Sequence, residues 1–280
     1  MPVVSTVDAF RRWASGPRTE ADWVDGYEAA YPDVFEVYHR AAGDPALRHR
    51  GVERAGEVLE RIAQAEGRAR DLIGEVAGRL YADRLLPDAD PAAVLLVGYG
   101  TSNAWTTSFR GRAALFVALE SLPAAPVDRV LISHELVHVA HLGRLDLERD
   151  LRVGTWLFAE GIATALSRRY AAGLPDLAYL GLGAEGEDWP AACERAWPAI
   201  VDGLTAALDQ PEAAGERFFS GNPSGSGGLP QRCGYYAGDR WCTRLLDRYS
   251  AAELLSLDVP RILSEARLFP AVASELPGAL

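Results

Sequence analysis

The chain has 280 residues, 49% hydrophobic and 24% charged, the balance of a globular protein that buries a sizeable core without disulfide staples. Its formal net charge of −11 sets the average surface against phosphate backbones and anionic headgroups, so neither nucleic acid nor an anionic membrane surface is expected as a partner unless a local basic patch intervenes. The sequence has no lysine, so that all 28 of its Lys-or-Arg positions are arginines, a coding bias to which no mechanism attaches.

The opening MPVVSTVDAFRRWASG reaches Arg11 and Arg12 before any apolar run develops, so no secretory leader is expected. No later run approaches the ~20 apolar residues of a membrane helix, and the expected compartment is the cytoplasm. Cys193, Cys233 and Cys242 are odd in number and widely spaced. They are expected as buried or free thiols, with a Cys233 to Cys242 bridge as the alternative.

From Trp23 onward the aromatics Tyr27, Tyr31, Phe35 and Tyr38 recur every three or four residues, which predicts one helix face packed on the core. Pro32 is placed near a helix start or break. Residues 46 to 85 place Val52, Ala55, Val58, Leu59, Ile62 and Ala65 at helical period, predicting one long amphipathic helix or two in tandem. AAVLLVGYG and AALFVALE then read as two strands paired antiparallel, with TSNAWTTSFRGR as the turn or loop between them.

From Val127 the pattern is helical again, broken at Pro175, at Pro190 and by SGNPSGSGGLPQRCG, whose 220–228 stretch is a candidate lid. The expected fold is α+β and mostly helical: a small antiparallel sheet, a motif-bearing helix and a helical C-terminal half. One unit over 1–280 is expected, with a helical part at 1–90, strands and site helices at 91–170, and a helical part at 171–280.

Chemistry concentrates in VLISHELVHVAH. His134 and His138 are four residues apart and so share a helix face, where both imidazoles reach one metal ion. Glu135 lies beside them where a general base is needed, and apolar neighbours on both flanks leave the two histidines in need of a partner, which zinc supplies. A turn is expected at Gly143.

A catalytic zinc takes three protein ligands and keeps one position open. His141 stands seven residues from His134, about 10 Å along a helix axis, too far to share the ion. The HExxHxxGxxH pattern fails twice, with His141 in place of its glycine and Arg144 in place of its last histidine. Glu160 is the better donor: in TWLFAEGIATALSRRY it is the one carboxylate inside an apolar helical pattern, and such a group needs a partner or a metal.

On these residues the chain resembles the gluzincin peptidases, in which a HExxH helix is followed by a second helix whose glutamate completes the site. More narrowly it looks like the family of predicted zinc-dependent proteases known as DUF2268. HELVH and AEG carry that likeness, supported by YEAAYPDVFEVYHR, LLVGYG, ALFVALE and GYYAGDRW.

The resemblance implies a zincin-like fold, one zinc per chain on His134, His138 and Glu160, and peptide-bond hydrolysis with Glu135 as general base. It implies a peptide or protein substrate, taken by an endo- or aminopeptidase. It also implies an oxyanion donor from a later helix, for which Tyr235 and Tyr236 are the candidates, with Arg240 behind them. Where gluzincins often carry an aspartate to orient the first histidine this chain has Thr164, a weaker acceptor for the imidazole N–H. From its own pattern AALFVALE is either an ordinary sheet strand or, if it lies at a sheet edge, a strand that pairs with an extended substrate. The alternative is a zinc-containing peptide-binding or regulatory module that cleaves nothing.

Overall fold

AAVLL, at Ala92–Leu96, is apolar on both faces and buried along its whole length, which suits a strand inside a sheet with parallel neighbours. This strand, β2, pairs in parallel with β1 (Val3–Ser5) on one side and with β4 (Arg112–Ala118) on the other. β3 (Ala104–Phe109) runs antiparallel to β4, giving the order β1-β2-β4-β3 among the described residues. The computed structural model describes residues 1–86, 91–142, 151–180, 188–221 and 227–275. It divides the chain into two units, Met1–Gly143 and Arg144–Leu280, mostly helical apart from this mixed sheet.

The sheet corrects the antiparallel expectation. AAVLL and RAALFVA do pair, but in parallel, with Ala92 opposite Ala114 and Leu96 opposite Ala118. The segment between them, expected as a loop, contains β3. Arg110 and Gly111 both take positive φ, 51° and 74°, as a two-residue hairpin turn requires. Arginine is an unusual residue in that position, so the hairpin signal was hidden. β4 is therefore an inner strand, and β3 is an edge.

In the N-terminal unit α1 (Val7–Ala14), the short α2 (Glu20–Asp22), a π-turn at Trp23–Tyr27 and a 3-10 turn at Glu28–Ala30 lead into α3 (Pro32–Ala41). The chain is thus broken where one helical face was expected, and Pro32 opens α3 at a position where a missing N–H costs nothing. The rings still converge: Trp23 packs edge-on against Trp13 and Tyr27 at 4.6 and 5.0 Å, and Tyr27 against Phe35 at 4.9 Å. Buried Glu28 joins them, accepting the Trp23 indole N–H at 2.9 Å, the Tyr99 hydroxyl, and Arg48 through both oxygens.

One helix, α4 (Arg48–Ala82), accounts for the long amphipathic stretch and buries Ala55, Val58, Ile62, Ala69, Ile73 and Val76. It anchors the motif-bearing helix α5 (Val127–Leu142). Arg68 donates to the buried Asp128 carboxylate at 3.0 Å and to the Pro123 carbonyl at 2.7 Å, and Arg129 forms a two-pronged ion pair with Glu75 at 2.6 and 2.7 Å. α5 also packs on β3 and β4.

Glu120, just after β4, is 5% exposed; one carboxyl oxygen accepts the Gly100 N–H at 3.0 Å and the other meets no partner among the described residues. Burial raises its pKa, against the lowering effect of the Gly98 and Gly100 N–H groups and of Arg54. A carboxyl raised in the folded state contributes stability below the ordinary glutamate value and loses it as pH rises through the folded value. Glu120→Gln should therefore lose less melting temperature than the wild type between mildly acidic and mildly alkaline buffer, as scanning calorimetry would read.

In the C-terminal unit α6 (Val153–Tyr170) is apolar almost all round. It is followed by α7 (Asp176–Tyr179), α8 (Trp189–Arg195), α9 (Trp197–Ala207), α10 (Glu216–Phe219), α11 (Cys233–Leu246), α12 (Ala251–Leu254), α13 (Val259–Ala266) and α14 (Phe269–Glu275), of which α7, α9, α11 and α13 pack on it. α6 and α11 meet through glycines: a Cβ on Gly161 would stand 2.4 Å from the Gly238 carbonyl oxygen, and one on Gly238 would stand 2.7 Å from that of Leu157. Glycine inside a helix costs about 1 kcal/mol, and this contact is the reason for it. Arg168 of α6 clamps the pair through both oxygens of Asp239, at 3.3 and 2.8 Å.

The three cysteines are free and buried, with no bridge. No described helix is long and apolar enough to cross a membrane.

Candidate metal centre

α5 places His134 and His138 one turn apart on one face. Both are half-buried, their rings meet edge to face with centroids 4.7 Å apart, and their Nε2 atoms are 3.0 Å apart. Two imidazole nitrogens, each about 2.0–2.1 Å from a tetrahedral ion, stand about 3.3 Å from one another. The helix therefore presents the pair at close to ligand spacing.

One ligand atom from each of His134, His138 and Glu160 lies within 4.8 Å of the other two. Two imidazoles and one carboxylate form a three-ligand set that leaves a coordination position free, so these side chains form a possible metal-binding cluster and their chemistry fits zinc. His141, buried on the same helix, is not one of the clustered ligands.

Glu135 is buried beside His134, at 9% exposure. Thr106 of β3 reaches it with its hydroxyl, 2.9 Å from the Glu135 carbonyl oxygen and 3.0 Å from Oε2. Glu160 is half-buried on α6, and Trp156, one turn earlier, donates its indole N–H to Oε1 at 3.3 Å. The Trp156 ring is itself stacked on Phe219, with centroids 4.4 Å apart and 18° between planes. Hydrogen-bond partners of this kind hold a ligand's orientation.

Sequence reasoning missed both partners. Trp156 was findable, because tryptophan and glutamate four apart on a helix share a face. Thr106 was not, because its strand read as a loop.

Thr164, expected to receive an imidazole N–H, is fully buried and its hydroxyl makes no hydrogen bond among the described residues. Tyr236 is buried on α11; its hydroxyl accepts from Arg240 and donates to Glu194 at 3.4 Å, and its ring packs edge-on against Trp189 and Trp197. Burial pushes that hydroxyl up to about 12, consistent with a packing group. Tyr235 is half-buried with its ring edge-on to Phe219 at 5.8 Å. The turn expected at Gly143 and residues 222–226 of the candidate lid lie outside the described residues.

Comparison of the chain with family models, with curated proteins and with solved structures finds no match.

Proposed function

We propose that the chain is a zinc-dependent peptidase of the gluzincin type, akin to the DUF2268 family and zincin-like in fold. The observation that carries the reading is the clustering of His134, His138 and Glu160 ligand atoms within 4.8 Å, with a buried glutamate next to the first histidine. A structural zinc site tends to close its fourth position with a cysteine or histidine; here the cysteines are buried elsewhere, on α8 and α11.

His134, His138 and Glu160 would hold the metal. When bound, zinc supplies Lewis acidity toward a carbonyl oxygen and lowers the pKa of a water to about 7. Glu135 takes the proton of the attacking water on its carboxylate and returns it to the leaving amine. β3, with its outer edge unpaired among the described residues and α5 packed on it, is the strand we assign to an extended peptide, in the place first expected of β4. Oxyanion stabilisation is assigned to the adjacent tyrosines of α11, Tyr235 and Tyr236, the second of which has its hydroxyl between Arg240 and Glu194. Three buried free thiols suit a reducing compartment, and we place the protein in the cytoplasm.

Metal content by plasma mass spectrometry on untagged protein, followed by incubation with a mixed peptide library, tests this. One zinc per chain is expected, together with cleavage that stops with a chelator and returns with added zinc. Zinc without cleavage would favour a binding or regulatory module, and no zinc would end the metallopeptidase reading.

A further inference from the structure

We infer that Thr106 is the positioning residue of the general base, fixing the carboxylate of Glu135 from the edge strand. The inference rests on the peptidase reading for what the carboxylate does, and on contacts within the N-terminal unit for how it is held.

Glutamate has three rotatable bonds, and on a helix surface it samples several rotamers. Here one hydroxyl stands 2.9 Å from the main-chain oxygen of Glu135 and 3.0 Å from Oε2 of the same residue. Both ends of the glutamate are thereby referred to a single point on another element. The hydroxyl has one proton to donate, and an ionised carboxylate is the stronger acceptor. The carbonyl oxygen, inside α5, keeps its place in the helical ladder.

Thr106 is well suited to define that point. A β-branched residue is stiff at χ1, and its strand is held in register by β4, with Thr106 opposite Leu115. The strand also packs on α5. The clustered ligand residues are His134, His138 and Glu160, whereas the Thr106 hydroxyl meets Glu135 at both of its contacts, so Thr106 acts through Glu135.

Thr106→Val keeps the shape and removes the hydroxyl, while Thr106→Ser restores it on a smaller frame. In protein labelled with carboxyl-13C glutamate, the Glu135 resonance is assigned by its absence in Glu135→Gln. Thr106→Val should shift or broaden that resonance, with zinc still at one per chain, and Thr106→Ser should return it toward wild type. On the peptide that the wild type cleaves best, kcat should fall roughly 10–100-fold in the valine variant with KM nearly unchanged, the loss typical of an outer hydrogen-bond partner. An unmoved resonance in Thr106→Val overturns the inference, as does loss of zinc equal to the loss of rate. If the wild type cleaves no peptide the peptidase reading fails, and the resonance still decides whether Thr106 holds Glu135.

Discussion

Glu135→Gln should keep one zinc per chain and lower kcat by roughly 10²–10⁴-fold, the usual contribution of a positioned general base. The substitution preserves size and leaves His134, His138 and Glu160 in place. Its amide oxygen still accepts the Thr106 hydroxyl that now reaches Oε2 at 3.0 Å, so the fold and the metal cluster should be undisturbed. What disappears is the capacity to take a proton. KM should change little, because the lost interaction belongs to the reaction rather than to substrate binding. Steady-state kinetics on the best-cleaved library peptide, alongside metal content and melting temperature, would read all three. Full activity in this variant would hand the proton transfer to another group, and loss of zinc would mean that Glu135 is a ligand rather than a base.

The parts of this site that the sequence exposed are those set by spacing along one helix. The four-residue spacing of His134 and His138 determines that the rings share a face, whatever the rest of the chain does. Glu160 was legible for a different reason, since one carboxylate in the apolar stretch TWLFAEGIATAL stands out against the cost of burying charge. The sheet was less legible. Whether β2 and β4 run parallel depends on what lies between them, and β3 was disguised by the polar letters AWTTSF and by Arg110 at positive φ. β1, three residues long, offers too short a run for any periodicity. Thr106 was lost together with its strand, because a hydrogen bond spanning 29 residues leaves no local trace. The Tyr236 hydroxyl likewise finds Glu194, 42 residues away, a contact that GYYAGDRW alone does not announce.

Removing a ligand should separate the metal from the chemistry. His138→Ala and Glu160→Ala are each expected to lose zinc at stoichiometric concentrations, a larger effect than the roughly 10–100-fold loss of affinity that follows removal of an outer partner. Trp156→Phe supplies that smaller reference, since it retains a ring to stack on Phe219 but loses the N–H that now meets Glu160 at 3.3 Å. Thermal melting with and without zinc makes the ranking visible. A ligand that binds only the folded state stabilises it by about 2.7 kcal/mol at a hundred times its Kd, so zinc should raise the melting temperature of the wild type, raise that of Trp156→Phe less, and leave the two ligand variants unmoved. A zinc-dependent rise that survives in Glu160→Ala would remove the carboxylate from the site and reduce the metal centre to the two histidines of α5.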